Sequence, residues 1–172
     1  IATKCGVLPD ENNFPRRFAS RKTIIEEVEG SLRRLQVDYI DLYQLHWPEP
    51  DENVEEAWQT LLDLQSLLDL QSQGKIRWGG VSNYSAEQLT RAAALGPVSS
   101  LQPRYSMLNR QIEDEGQMNW CRENHCGIVC YSPMESGLLT GKVNREWIDS
   151  LPENDWRRHK PDHPVAALLH PP

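Results

Sequence analysis

Strand-like and helix-like segments alternate along this chain to about residue 133, and polar residues gather where the strand-like runs stop. "IAT" is a short apolar run ending at Lys4, followed by a polar loop with Pro9, Asn12, Asn13 and Pro15. Ser20 is placed to cap a helix whose Ile24, Ile25, Val28, Leu32 and Leu35 keep helical spacing. Residues 39–45 read as a strand that stops at His46. A helix starting near Asn53 carries Val54, Ala57, Trp58, Leu61 and Leu62, with Gly74 as its stop. "KIRWGGVSN" is the next strand. "SAEQLTRAAALG" is a helix with Ser85 as cap and Gly96 as stop. "VSSLQPRYS" is a strand, "EDEGQMNWCREN" a helix despite its Gly116, and "GIVCYSP" a fifth strand bounded by Gly127 and Pro133.

Five strands alternating with helices imply parallel strands joined by right-handed crossovers. A doubly wound open sheet and a (β/α)8 barrel both satisfy that pattern. No G-x-G-x-x-G turn follows any strand, which weakens the first. Lys4, His46, Ser82 with Asn83, Gln102 and Tyr131 all fall at the C-terminal ends of successive strands, and a barrel brings those ends to one mouth. The expected fold is therefore α/β, of the (β/α)8 TIM-barrel type and here incomplete, with about five parallel strands and four to five helices.

Composition narrows the function. The chain has 172 residues, enough for one domain with a core, and its net charge of −7 argues against a nucleic-acid partner. No apolar run approaches the roughly 20 residues a membrane helix needs, and "IATKCG" has no signal-peptide pattern, so a cytoplasmic location is expected. The four cysteines, at 5, 121, 126 and 130, do not form a compact ligand knuckle; free thiols are the better reading than zinc. "LLDLQS" at 61–66 repeats letter for letter at 67–72. Six extra helical residues add about 9 Å and rotate the rest of the helix by about 240°, so the buried stripe loses register. The repeat reads as a tandem duplication or an assembly artefact, and it predicts a helix with about two extra turns or a break near 66–68.

A lone histidine at a strand end is commonly structural, and Lys4 by itself can be a surface charge. Together they supply a cation and a neutral hydrogen-bond donor at one mouth, which can polarise a carbonyl. A nearby ammonium also lowers the pKa of a phenol from about 10 toward working pH. Asparagine and glutamine offer both donor and acceptor and suit a carboxamide, and Tyr131 offers a flat face for a planar ring. "SGLLTGK", residues 136–142, is a small-residue loop ending in a cation, a loop able to cradle phosphate with backbone amides.

In order along the chain, "IATKCG", "YIDLYQLHWPEP", "GKIRWGGVSNYS", "LQPRYSMLNR" and "YSPMESGLLTGK" resemble the aldo-keto reductase family, NADP(H)-dependent carbonyl reductases on a (β/α)8 barrel. The resemblance covers residues 1–142, leaving 143–172 as an irregular tail. It implies that Lys4 is the active-site lysine and His46 the histidine that orients the substrate carbonyl. It assigns Ser82, Asn83 and Gln102 to the nicotinamide carboxamide and Tyr131 to stacking on the nicotinamide ring. Ser132, Gly137, Leu138 and Lys142 fall in the loop that wraps the cofactor's phosphates, and Trp47 lines the substrate pocket. The implied substrate is a small-molecule aldehyde or ketone.

The family's aspartate and proton-donating tyrosine lie upstream of "IATKCG", and its adenosine 2′-phosphate segment lies beyond the seventh strand. The expectation is therefore an oxidoreductase segment that is truncated and inactive as the isolated chain, with open sheet edges that leave self-association as a route. The alternative is a non-catalytic nucleotide-binding or regulatory barrel acting through a partner protein.

Overall fold

In the computed structural model, residues 1–66, 75–155 and 157 are described. The second "LLDLQS" copy, at 67–72, and the Gly74 stop lie outside the described residues. The chain divides into two compact units: residues 1–104 with 111–131, and residues 105–110 with the chain from 132 onward.

The first unit is built on five parallel strands. β1 (Ala2–Cys5) is followed by a hairpin, β2 (Val7–Pro9) and β3 (Pro15–Arg17), which forms a separate antiparallel pair. Then come α1 (Arg21–Leu35), β4 (Ile40–Leu45), α2 (Val54–Ser66), β5 (Ile76–Ser82), α3 (Ala86–Ala93), β6 (Ser100–Gln102), α4 (Gln111–Asp114), α5 (Gln117–Glu123) and β7 (Gly127–Ile128). The main sheet runs β1-β4-β5-β6-β7, each neighbouring pair parallel. This is the incomplete β/α alternation that the sequence predicts.

Two ladders cross this sheet side by side. One runs Cys5, Leu45, Val81, Leu101, and all four are buried in the core with Ile24, Val28, Trp58, Leu61 and Leu89 of the helices. The next runs Lys4, Gln44, Gly80, Ser100. Because side chains alternate across a strand, the second ladder faces away from the helices that cover the first. A doubly wound sheet would be apolar on both faces. Here the rung nearest the C-terminal strand ends is polar or small, while Leu42 and Trp78 lie on the same face two residues earlier. Gln44 is 1% exposed and donates from Nε2 to Ser100 Oγ at 3.2 Å. Gly80 permits that approach, since a Cβ there would lie 2.3 Å from Ser100 Oγ.

Local signals set two of the helix starts in the first unit. Ser20 forms a capping box with Thr23, and Ser85 forms one with Gln88, as their spacing predicts. Three departures have physical causes. The polar loop after Lys4 is a hairpin, because Asp10 accepts from the Asn12 and Phe14 amides and turns the chain back. The single helix expected over 113–124 is two, because Gly116 takes φ +89 and breaks the run between α4 and α5. Gly96 does not end α3, which stops at Ala93; it sits where any Cβ would meet Leu62 Cδ1 at 2.8 Å, and its carbonyl accepts from Trp58 Nε1 at 3.2 Å.

The second unit carries a 3-10 segment, Glu135–Thr140, and α6 (Arg145–Asp149), which is capped by Asn144 accepting from the Trp147 amide. Among the described residues no helix is long and apolar enough to cross a membrane.

Candidate active site

Lys4 is the penultimate residue of β1 and pairs in register with Gln44 of β4. His46 follows the last residue of β4, and its amide donates to the Cys5 carbonyl at 2.9 Å, so the ladder continues one step past the strand. Two residues beyond Gln44, His46 returns to the face that carries Lys4. Both side chains are half-buried. Burial, then the Lys4 ammonium and then the Arg17 guanidinium hold the imidazole below the ordinary histidine range. Around neutral pH it is uncharged, with one N–H to give and one nitrogen to accept.

The end of β5 supplies the centre of the network. Ser82 is buried, and its hydroxyl donates to the Gln102 carbonyl at 2.7 Å. Asn83 takes the left-handed conformation, φ +62, which asparagine tolerates better than most residues. Its amide also donates to the Gln102 carbonyl, at 3.2 Å. Asn83 Nδ2 donates to the His46 carbonyl at 3.0 Å and to Ser82 Oγ at 3.2 Å, and Asn83 Oδ1 accepts from Tyr131 Oη at 2.9 Å. One side chain thus ties the ends of three elements: the His46 turn, β5 and the segment after β7. Tyr131 is held from its backbone as well, donating to the Pro103 carbonyl at 2.9 Å. Among the described residues the half-buried Gln102 side-chain amide has no hydrogen-bond partner, which leaves a donor and an acceptor available beside Asn83.

Trp47 stacks on His46, with ring centroids 6.2 Å apart and planes 21° from parallel. Arg17 lies 3.5 Å over the Trp47 ring and pairs with Glu49 at 2.6 Å. Arg17 carried no signal in the sequence, since it sits in a stretch with no hydrophobic period, and only the hairpin brings it back to the strand ends. Gln44 did carry a signal, a polar residue inside the apolar run "YIDLYQLH", but its buried bond to Ser100 needs the third dimension.

Seven of the expected residues, Lys4, His46, Trp47, Ser82, Asn83, Gln102 and Tyr131, therefore belong to the first unit, at the C-terminal side of its parallel strands. Ser132, Gly137, Leu138 and Lys142 belong to the second unit. There Ser132, Glu135, Ser136, Gly137 and Gly141 all take positive φ, and the Ser132 carbonyl accepts from the Glu135 amide at 3.0 Å. Glu135, fully buried, accepts from Ser106 Oγ at 2.6 Å and fixes the start of this loop. The Lys142 amide donates to Thr140 Oγ1 at 3.2 Å, and the Lys142 residue is exposed. Among the described residues no group of three or more His, Cys, Asp or Glu is arranged to hold a metal ion.

The family model for the aldo/keto reductase family matches residues 1–165. The chain belongs to the aldo/keto reductase family. It is 40% identical over 161 residues to the aldo-keto reductase YhdN of Bacillus subtilis (strain 168), covering 94% of this chain and 46% of that protein. It is 34% identical over 158 residues to the NADH-specific methylglyoxal reductase of Escherichia coli (strain K12), covering 86% of this chain and 47% of that one. Among solved structures, the glycerol dehydrogenase from Gluconobacter oxydans superposes with a TM-score of 0.78 at 34% identity, over 93% of this chain and 47% of that chain. The chain thus spans about half the length of the aldo/keto reductases it matches. Its incomplete barrel is that of an oxidoreductase family whose members act on small carbonyl compounds with a nicotinamide cofactor.

Proposed function

We propose that this chain carries the carbonyl-orienting and nicotinamide-binding part of an aldo/keto reductase site, for hydride transfer between NADP(H) and an aldehyde or ketone. The observation that carries this reading is the Asn83 side chain, bonded at once to the His46 turn, to Ser82 and to Tyr131. It couples the residue that would receive a carbonyl to those that would receive a nicotinamide.

The residues fit such a cofactor. The unclaimed donor and acceptor of Gln102, beside Ser82 and Asn83, match the acceptor and donor of a carboxamide. Tyr131, whose hydroxyl donates to Asn83 Oδ1, would present its ring to a planar group. Ser132, Gly137, Leu138 and Lys142 would hold phosphate, through amides of a loop rich in left-handed residues and through one exposed ammonium. A nicotinamide bound there supplies the hydride. The chain's own residues do the rest: neutral His46 donates to the substrate oxygen, Trp47 lines the pocket beside it, and the Lys4 cation lowers the pKa of whatever acid delivers the proton.

No tyrosine of the first unit stands ready as that acid. Tyr39 lies just before the N-terminal end of β4, beside Arg77. Tyr43 and Tyr84 are buried, and burial pushes both phenols far above their ordinary range. Tyr131 Oη already donates a hydrogen bond to Asn83 Oδ1. Loss of a positioned acid costs about 10²–10⁴-fold in rate. On this reading the 172-residue chain by itself is expected to show no reductase turnover.

The test is the purified chain with NADPH or NADH and a panel of reactive aldehydes, followed at the reduced-cofactor absorbance. Turnover that disappears in His46→Ala and Lys4→Met would overturn the inactivity. Tight cofactor binding without turnover would favour a non-catalytic nucleotide-binding role. Binding that survives Gln102→Ala and Asn83→Ala unchanged would remove the cofactor assignment.

A further inference from the structure

We propose that Arg17, on the β2–β3 hairpin, is a positioning residue that fixes the Trp47–His46 wall of the site from outside the strand ends. The proposal rests on the reading of His46 as the carbonyl-orienting group. It assigns a task to a hairpin that no strand-end pattern explains.

Three contacts carry it. The Arg17 guanidinium covers the Trp47 ring at 3.5 Å, Trp47 in turn stacks on His46, and the Glu49 carboxylate holds the guanidinium at 2.6 Å. Trp47 thus touches a cation and an imidazole at once. A cation over an indole face is attractive, and the planar guanidinium also restricts rotation of the ring beneath it. The Phe18 amide donates to the Gly6 carbonyl at 3.1 Å, which closes the base of the hairpin one residue past Cys5. Arg17 is therefore set by the same turn that ends the Lys4 strand.

The arrangement has an electrostatic consequence. The charged groups that act on His46 are Lys4 from β1 and Arg17 from β3, while the side chain that reaches its turn from β5, Asn83, is uncharged. Both cations favour the neutral imidazole, and Glu49 offsets part of the Arg17 charge. A carbonyl-orienting histidine must donate a hydrogen bond without surrendering a proton, so a second cation besides Lys4 serves that role. Lys4 sits within the sheet register. Arg17 reaches the same imidazole over the ring that lines the pocket.

The experiment is a pH titration of the His46 ring by NMR in the 172-residue chain, with no cofactor present. The resonance is assigned by its loss in His46→Gln, and the Trp47 indole N–H is followed in parallel. Arg17→Met should raise the His46 midpoint by roughly half a pH unit, the effect of removing one partly screened charge, and should shift the Trp47 indole resonance. Arg17→Lys should return most of the midpoint change. Glu49→Gln should lower the midpoint, because it leaves the Arg17 charge unopposed. A merely structural contribution would move both variants in one direction, if at all. An unchanged His46 midpoint in Arg17→Met, or the same sign in Arg17→Met and Glu49→Gln, overturns the proposal. If Arg17→Met does not fold, the Glu49→Gln midpoint decides alone: a fall supports the proposal, and no change or a rise refutes it. Neither readout uses the nicotinamide, so this proposal and the cofactor assignment fail separately.

Discussion

Asn83 offers a perturbation whose parts separate. Replacing it with alanine removes three side-chain hydrogen bonds, to the His46 carbonyl, Ser82 Oγ and Tyr131 Oη, in a partly buried setting. At about 0.5–1.5 kcal/mol each, that loss is about 1.5–4.5 kcal/mol, centred near 3. Alanine also holds φ +62 less readily than asparagine, which adds about 1 kcal/mol. Asn83→Gly loses the same bonds without the conformational strain, so it should be the less damaged of the two by up to about 1 kcal/mol, partly offset by the flexibility of glycine in the unfolded chain. Asn83→Asp keeps the acceptor for Tyr131 but loses both donors, and should fall between the parent and alanine. Urea unfolding followed by far-UV circular dichroism measures this, read as midpoint changes at constant slope. Asn83→Ala within about 0.5 kcal/mol of the parent would show that the network does not hold the strand ends together. Glycine more damaging than alanine would show that the left-handed backbone is not a cost there.

Two groups outside the network give further expected outcomes. Glu27 of α1 accepts from the Gly6 amide with both carboxylate oxygens at 3.1 Å; burial pushes its pKa up to about 7, against the opposing pull of that amide and of Arg34. The folded state binds this proton more tightly than the unfolded chain, so the contribution is complete below the ordinary glutamate range and is lost as pH rises to about 7. For a half-exposed group the screened loss is about 1–2 kcal/mol. Stability of the parent relative to Glu27→Gln should therefore fall across that window, and parallel pH profiles would refute it. Cys130 is exposed whereas Cys5, Cys121 and Cys126 are buried, and burial raises the Cys5 thiol well above its ordinary value. An aromatic disulfide reagent should thus titrate one thiol quickly in the folded chain and the others only on unfolding; a fast phase that persists in Cys130→Ser would contradict this.

The chain's own letters were enough for the features that depend on short-range patterns. The order of strands and helices comes from where apolar residues recur, and the Ser20 and Ser85 caps come from side chains reaching amides three residues on. The placement of the candidate residues was legible to the same degree. Lys4, His46, Ser82, Asn83, Gln102 and Tyr131 stand at the ends of strand-like runs, and parallel strands carry all their C-terminal ends to one side. Three things waited for the tertiary structure. The face of the sheet left to Lys4, Gln44 and Ser100 is fixed only when helices cover the other one, because alternation marks two faces without saying which is buried. The break at Gly116 was hidden because glycine is tolerated within a helical pattern and a positive φ leaves no trace in composition. Arg17 and the bonds of Asn83 join residues far apart along the chain, Arg17 to Trp47 and Asn83 to both His46 and Tyr131. Such partners are selected by how the hairpin and strands pack, since a polar side chain carries its donors wherever it stands and only the fold decides which acceptor it meets.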